Sequence, residues 1–188
     1  AGEKGVDINS HVEDDWGPSS SIRSMSPLGI GPVLKDRTAV NVGLVACMSY
    51  LDDKGFGPSL VHRNGVTRAR MFQEITIAQQ TDCSDDAALA AALDQLEATL
   101  NSPLGNMKGD YCVGQYTLAD CAWAGVCQVA TNMGKGTAVS SRSAVNTWFA
   151  AVQSHPSTSK EAINPFSCLS TKADHDGNTM RDVRINTA

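Results

Sequence analysis

A chain of 188 residues, 41% hydrophobic and 19% charged, holds enough apolar material to build a core in one domain or two small ones, which excludes a disordered chain. Fifteen Lys and Arg against twenty Asp and Glu leave a net charge of −5, and the densest basic cluster, Arg63, Arg68 and Arg70, has its last two members on different sides of a helix, which speaks against nucleic acid as a direct partner. No run of about 18 apolar residues occurs, so no direct membrane insertion is expected, although a membrane-bound complex could hold the chain through protein contacts.

In chain order, Asp7 to Val12 alternates like a short strand. The stretch Ser26 to Leu34 carries Pro27, Gly29, Gly31 and Pro32 and must turn sharply before it feeds a second strand, Val33 to Lys35. A third strand, Thr38 to Val40, follows the Lys35-Asp36-Arg37 turn, so strands two and three predict a hairpin. Val45, Cys47, Met48 and Leu51 have helical spacing over Gly43 to Leu51, and the helix is expected to stop before Asp52-Asp53-Lys54-Gly55. Helical patterns then run over Thr67 to Thr81 and Ser84 to Leu100, a pair that could pack antiparallel, with Asp85 and Asp86 in the first turn of the second. After the break at Asn101 to Asn106, Thr117 reads as the N-cap of a helix with Asp120 three residues on, a variant of the capping box. Ala119, Ala122, Trp123, Val126, Val129 and Ala130 give that helix an apolar face of small residues, the core candidate. Arg142 to Ser154 is a further helix, stopped at His155-Pro156, and Ser159 to Ile163 a short last one.

Gly and Pro recur through the first sixty residues and helical periodicity takes over afterwards, so a boundary is expected near 60 to 65: a small mixed α/β unit over 1–62, an all-helical unit over 63–166, and an irregular polar tail over 167–188.

Six cysteines (Cys47, Cys83, Cys112, Cys121, Cys127, Cys168) occur without a Cys-x-x-Cys and without His at ligand spacing, so no metal is expected. Scattered cysteines in a chain large enough for a core suit a reducing intracellular compartment, cytosol or organelle, better than secretion. His11, His62, His155 and His175 are dispersed and read as surface or helix-end residues. Cys47 reads as a core thiol, the Asp52-Asp53 and Asp85-Asp86 pairs as turn and helix-start residues, and Asp174 to Asn178 lacks the ligand sequence of a calcium loop. Trp123 and Trp148 read as core anchors, and Trp16, beside Gly17-Pro18, as a contact residue.

The order of these elements resembles the glutathione S-transferase superfamily. Glu3-Lys4-Gly5-Val6 is similar to the end of the family's first helix, Ser26 to Leu34 to its proline loop, and Tyr50-Leu51 to the end of its second helix. Thr117-Leu118-Ala119-Asp120 resembles the buried capping box of its helical domain, and Trp148 through Pro156-Ser157 the residues near its end. The resemblance implies a thioredoxin-like domain followed by a helical bundle, an α+β chain in which Pro32, Thr117, Asp120 and Trp148 determine the fold. It also implies that Pro32 is the cis-proline shaping a glutathione pocket.

The departures from the family pattern shape the functional reading. Where the family has an acidic or amide residue followed by Ser to hold the γ-glutamyl group, this chain has Gly43 and Leu44. Leu44 can neither donate nor accept, a loss of about 1–3 kcal/mol for each buried group left unpaired. Before the proline stands Gly31, whose backbone could still pair but with less rigidity. The family's catalytic Tyr, Ser or Cys lies on the first strand or at the start of the first helix, and the resemblance begins only near that helix's end. Gly31, Pro32, Gly43 and Leu44 are therefore expected to form a vestigial glutathione site with no catalytic residue, and no cofactor is expected. The function expected is that of a non-catalytic accessory or scaffold subunit in contact with other proteins, through the tail and the Asp14 to Ile22 loop. A glutathione-dependent transferase or dehydroascorbate-type reductase, and a carrier of a small apolar ligand, are the alternatives.

Overall fold

The computed structural model describes residues 6–8, 21–27, 31–102, 109–155 and 185–186. The chain divides into two compact units, and the division falls after Pro58, a few residues before the boundary expected at 62. Leu60 is buried and its carbonyl accepts the Leu118 N–H, so helical-unit packing already claims the residues that composition alone assigns to the connection.

In the first unit, β1 (Asp7–Ile8) and β4 (Ile185–Asn186) pair antiparallel. The sequence suggests only an irregular tail over 167–188, and at these two residues the backbone is instead a strand; the rest of that span lies outside the described residues. A short helix, α1 (Ser21–Met25), carries no periodicity long enough to be read from sequence. The hairpin expected around Lys35-Asp36-Arg37 forms between β2 (Val33–Asp36) and β3 (Ala39–Val42), shifted by one residue so that Arg37 and Thr38 make the turn. Arg37 has φ 53°, left-handed backbone that a non-glycine residue seldom adopts.

Helix α2 (Leu44–Lys54) packs on this hairpin. It continues one turn beyond the stop expected before Asp52. Asp52 is buried rather than in a solvated turn, and Lys54 reaches back to Asp36 at 3.0 Å, so tertiary partners hold a last turn that its composition disfavours.

The second unit holds α3 (Gly65–Gln80), α4 (Asp86–Asn101), α5 (Leu118–Asn132), α6 (Gly136–Ser140) and α7 (Ser143–Ser154). Local chemistry starts the first two: the Asn64 side chain accepts from the N–H groups of Val66 and Thr67, and that of Asp85 from Ala87 and Ala88. Asp85 is thus the N-cap of α4, one step outside the first turn in which the pattern suggests it. The two helices do not pack chiefly on each other. Helix α3 lies mainly against α5, whose small residues permit close approach, and α4 against α7. Leu89, Leu93 and Leu96 of α4 lose nearly all contact with water, each stabilising the unit by about 1.5–3 kcal/mol relative to exposure.

Helix α5 forms the centre. Ala119, Ala122, Trp123, Val126 and Ala130 are buried as the apolar face requires, and Cys127 joins them, while Val129 is half-buried. A carboxylate also lies inside: Glu74 on α3 has no exposure, and its oxygens meet the Arg70 guanidinium at 2.8 Å, the Trp123 indole N–H at 3.1 Å and the Thr99 hydroxyl at 3.4 Å. Three helices therefore share one charge that is bonded on every side shown, as a buried ion must be.

Helix α7 starts at Ser143 with Arg142 as its cap residue, one step later than the pattern suggests, and its N-terminus is closed from another helix. Glu97 of α4 accepts from the N–H groups of Ala144 at 3.0 Å and Val145 at 2.8 Å. Arg142 in turn donates to Asp94 at 2.8 Å and to the Ala90 carbonyl at 3.1 Å. The short helix expected at Ser159 to Ile163, together with Pro156-Ser157, Trp16, Glu3 to Gly5 and most of the Asp14 to Ile22 loop, lies outside the described residues.

Candidate functional site

The sequence points to the joint between the proline loop and the start of α2, and the described part of that joint is closely tied. The Gly31–Pro32 peptide bond is cis. The Pro32 carbonyl accepts the Gly43 N–H at 2.8 Å and the Cys47 thiol at 3.5 Å, and the same thiol approaches the Asn41 carbonyl at 3.3 Å. Gly31, Pro32 and Gly43 are thereby brought together, with Leu44 next in the chain. Gly43 has φ 87°, where a side chain would strain the backbone, and it caps α2 with no side-chain hydrogen bond. The first turn of α2 has no acidic residue, and its first helical position is the half-buried Leu44. Among the described residues at the start of α2, polar recognition is left to backbone groups.

Two residues nearby carry groups that could do chemistry, and both are committed elsewhere. Cys47 is 6% exposed, and burial pushes its thiol up to about 11, against a smaller opposing effect of the Leu34 backbone, so the thiol is protonated at neutral pH. The Tyr50 hydroxyl donates to Asp36 at 2.6 Å, which raises the phenol above its ordinary range. Asp36 is held below the usual carboxylate range by that hydroxyl first and by the Lys54 ammonium second. A phenol that keeps its proton and points its O–H at a neighbouring carboxylate is poorly placed to activate a ligand thiol.

One side-chain atom near the joint has no hydrogen-bond partner among the described residues. Asn41 stands opposite Leu34 in the hairpin register, on the face that α2 covers, and its Nδ2 is buried without a hydrogen bond. Sequence reading passes over it, because an Asn next to a turn is ordinary and only the packing of α2 closes it off.

Of the four residues expected to determine the fold, Pro32 lies in the first unit, and Thr117, Asp120 and Trp148 lie in the second, where they meet at the Asp120 carboxylate. Asp120 accepts from the Thr117 N–H at 2.9 Å and hydroxyl at 3.1 Å, from the Cys112 N–H at 2.9 Å and from the Trp148 indole at 2.8 Å. Thr117 and Asp120 form the capping box of α5, and neither is exposed. Burial raises the Asp120 carboxyl above its ordinary range, and the donors around it oppose that rise. This centre is structural: every oxygen contact shown is made by the protein's own groups.

The remaining candidates take quiet positions. His62 accepts the Asn64 N–H just before α3, and His155 closes α7 with its ring stacked 4.1 Å from Tyr116. The five described cysteines are free thiols, with Cys47, Cys112 and Cys127 buried. Among the described residues no group of His, Cys, Asp and Glu is arranged to hold a metal ion, and no helix is long and apolar enough to cross a membrane.

No protein-family model and no curated protein matches the chain. Solved structures do. The holo structure of maleyl pyruvate isomerase, a bacterial glutathione S-transferase of the zeta class, is similar with a TM-score of 0.60 and 18% identity over 75% of this chain and 76% of that one. Maleylacetoacetate isomerase from Methylobacterium extorquens AM1, solved with malonate and glutathione bound, matches with a TM-score of 0.56 and 17% identity over 73% and 75%. A possible glutathione S-transferase from Rhodopseudomonas palustris matches with a TM-score of 0.56 and 23% identity over 74% and 76%. At these identities the likeness establishes the fold: a small hairpin unit with helices, then a helical bundle, in the glutathione S-transferase arrangement of elements.

Proposed function

We propose that this chain is a non-catalytic protein of glutathione S-transferase fold, an accessory or scaffold subunit that makes contacts with other proteins of a larger assembly in a reducing intracellular compartment. The start of α2 carries this reading. Gly43 offers no side chain, Leu44 offers no polar side-chain atom, and the γ-glutamyl end of a glutathione molecule would lose about 1–3 kcal/mol for each buried group left unpaired there. Cys47, held protonated, and Tyr50, bonded to Asp36, supply no thiol-activating group in compensation. The decisive experiment is retention on glutathione resin together with conjugation of a chlorodinitrobenzene-type substrate. Neither is expected at millimolar glutathione, and saturable binding or turnover would overturn the proposal.

A second reading, a glutathione-dependent isomerase or transferase, draws on the two isomerases among the similar structures and on the cis Gly31–Pro32 loop still tied to the helix start. The same assay decides between them. Under the scaffold reading, native purification in mild salt yields the chain with a stoichiometric protein companion, whereas an isomerase runs as the isolated protein with glutathione-dependent activity.

A further inference from the structure

We draw no further inference here: the strongest candidate, the face of the β2–β3 hairpin where Val33, Val40 and Val42 stand beside Lys35 with Val40 42% exposed, has no partner among the described residues, and nothing in the structure shows what covers it.

Discussion

In the helical unit Glu74, Thr117 and Asp120 are shut off from water and each is bonded to named partners, whereas in the hairpin unit the Asn41 Nδ2 is buried with none and α2 begins at Gly43 with no side chain to close it. The contrast is local, since Asp36 in the hairpin unit is also bonded side chain to side chain, by Tyr50 and Lys54. Around Asp120 the donors come from a loop, a cap and a distant helix, so the carboxylate fixes how those pieces meet. At the hairpin joint the comparable contacts are backbone to backbone or thiol to carbonyl, which secure a loop and specify little about a ligand. Among the described residues, side chains thus tie distant elements together at the helical centre, while backbone groups and one thiol tie the hairpin joint.

The contrast can be broken most directly at its strong end. Asp120→Ala leaves the N–H groups of Cys112 and Thr117 and the Trp148 indole without their acceptor, and should cost about 3–5 kcal/mol. Thermal unfolding should show a large fall in the midpoint of the helical unit, and a loss under 1 kcal/mol would mean that the network does not organise it.

Gly109 is the next test. A Cβ there would drive into the Gly114 carbonyl in the loop that delivers Cys112 to Asp120, so Gly109→Ala should destabilise by about 1–3 kcal/mol. A neutral result by denaturant titration would show that the loop yields freely and that its close approach is incidental.

Glu97 probes the cap between α4 and α7. Burial pushes its carboxyl up, but the Ala144 and Val145 N–H groups, the Asn101 amide and the Arg142 charge together hold it below the ordinary 4.5. A depressed folded value means that this stabilisation is fully present above about pH 4.5 and is lost as pH falls through the lower folded value. Glu97→Gln should remove about 1 kcal/mol near neutrality and flatten that part of the acid limb. Parallel acid unfolding curves for the two proteins would count against the cap.

An effect of similar size but opposite sign tests the weak end. Asn41→Val removes an unsatisfied buried donor and suits a strand, so it should stabilise the protein by about 1 kcal/mol. Destabilisation of that size would mean that the amide has a partner which the hairpin and α2 do not provide.

Much of the fold was legible beforehand because periodicity and caps are local. Thr117 with Asp120 reads as a box from spacing alone, whereas the cap roles of Asn64 and Asp85, which accept from residues two and three positions on, were not assigned from the pattern. The extra turn of α2 was not legible, since Lys54 depends on Asp36 across the hairpin. Neither was the start of α7, because Glu97 stands 47 positions from the Ala144 N–H that it accepts. At the candidate site, Gly43 and Leu44 could be read as lacking side-chain chemistry from residue type alone. The commitment of Tyr50 to Asp36 and the isolation of Asn41 could not, because each depends on which face α2 lays against the strands.

The sequence by itself determined where backbone hydrogen bonds could be closed locally, which residues were apolar at helical spacing, and that Gly43 and Leu44 at the start of α2 carry no polar side chain. Only the tertiary structure decided which polar groups are bonded and which are stranded. Caps and periodicity act over a few residues along the chain, whereas burial and long-range hydrogen bonds arise when elements far apart in sequence exclude water from the same place.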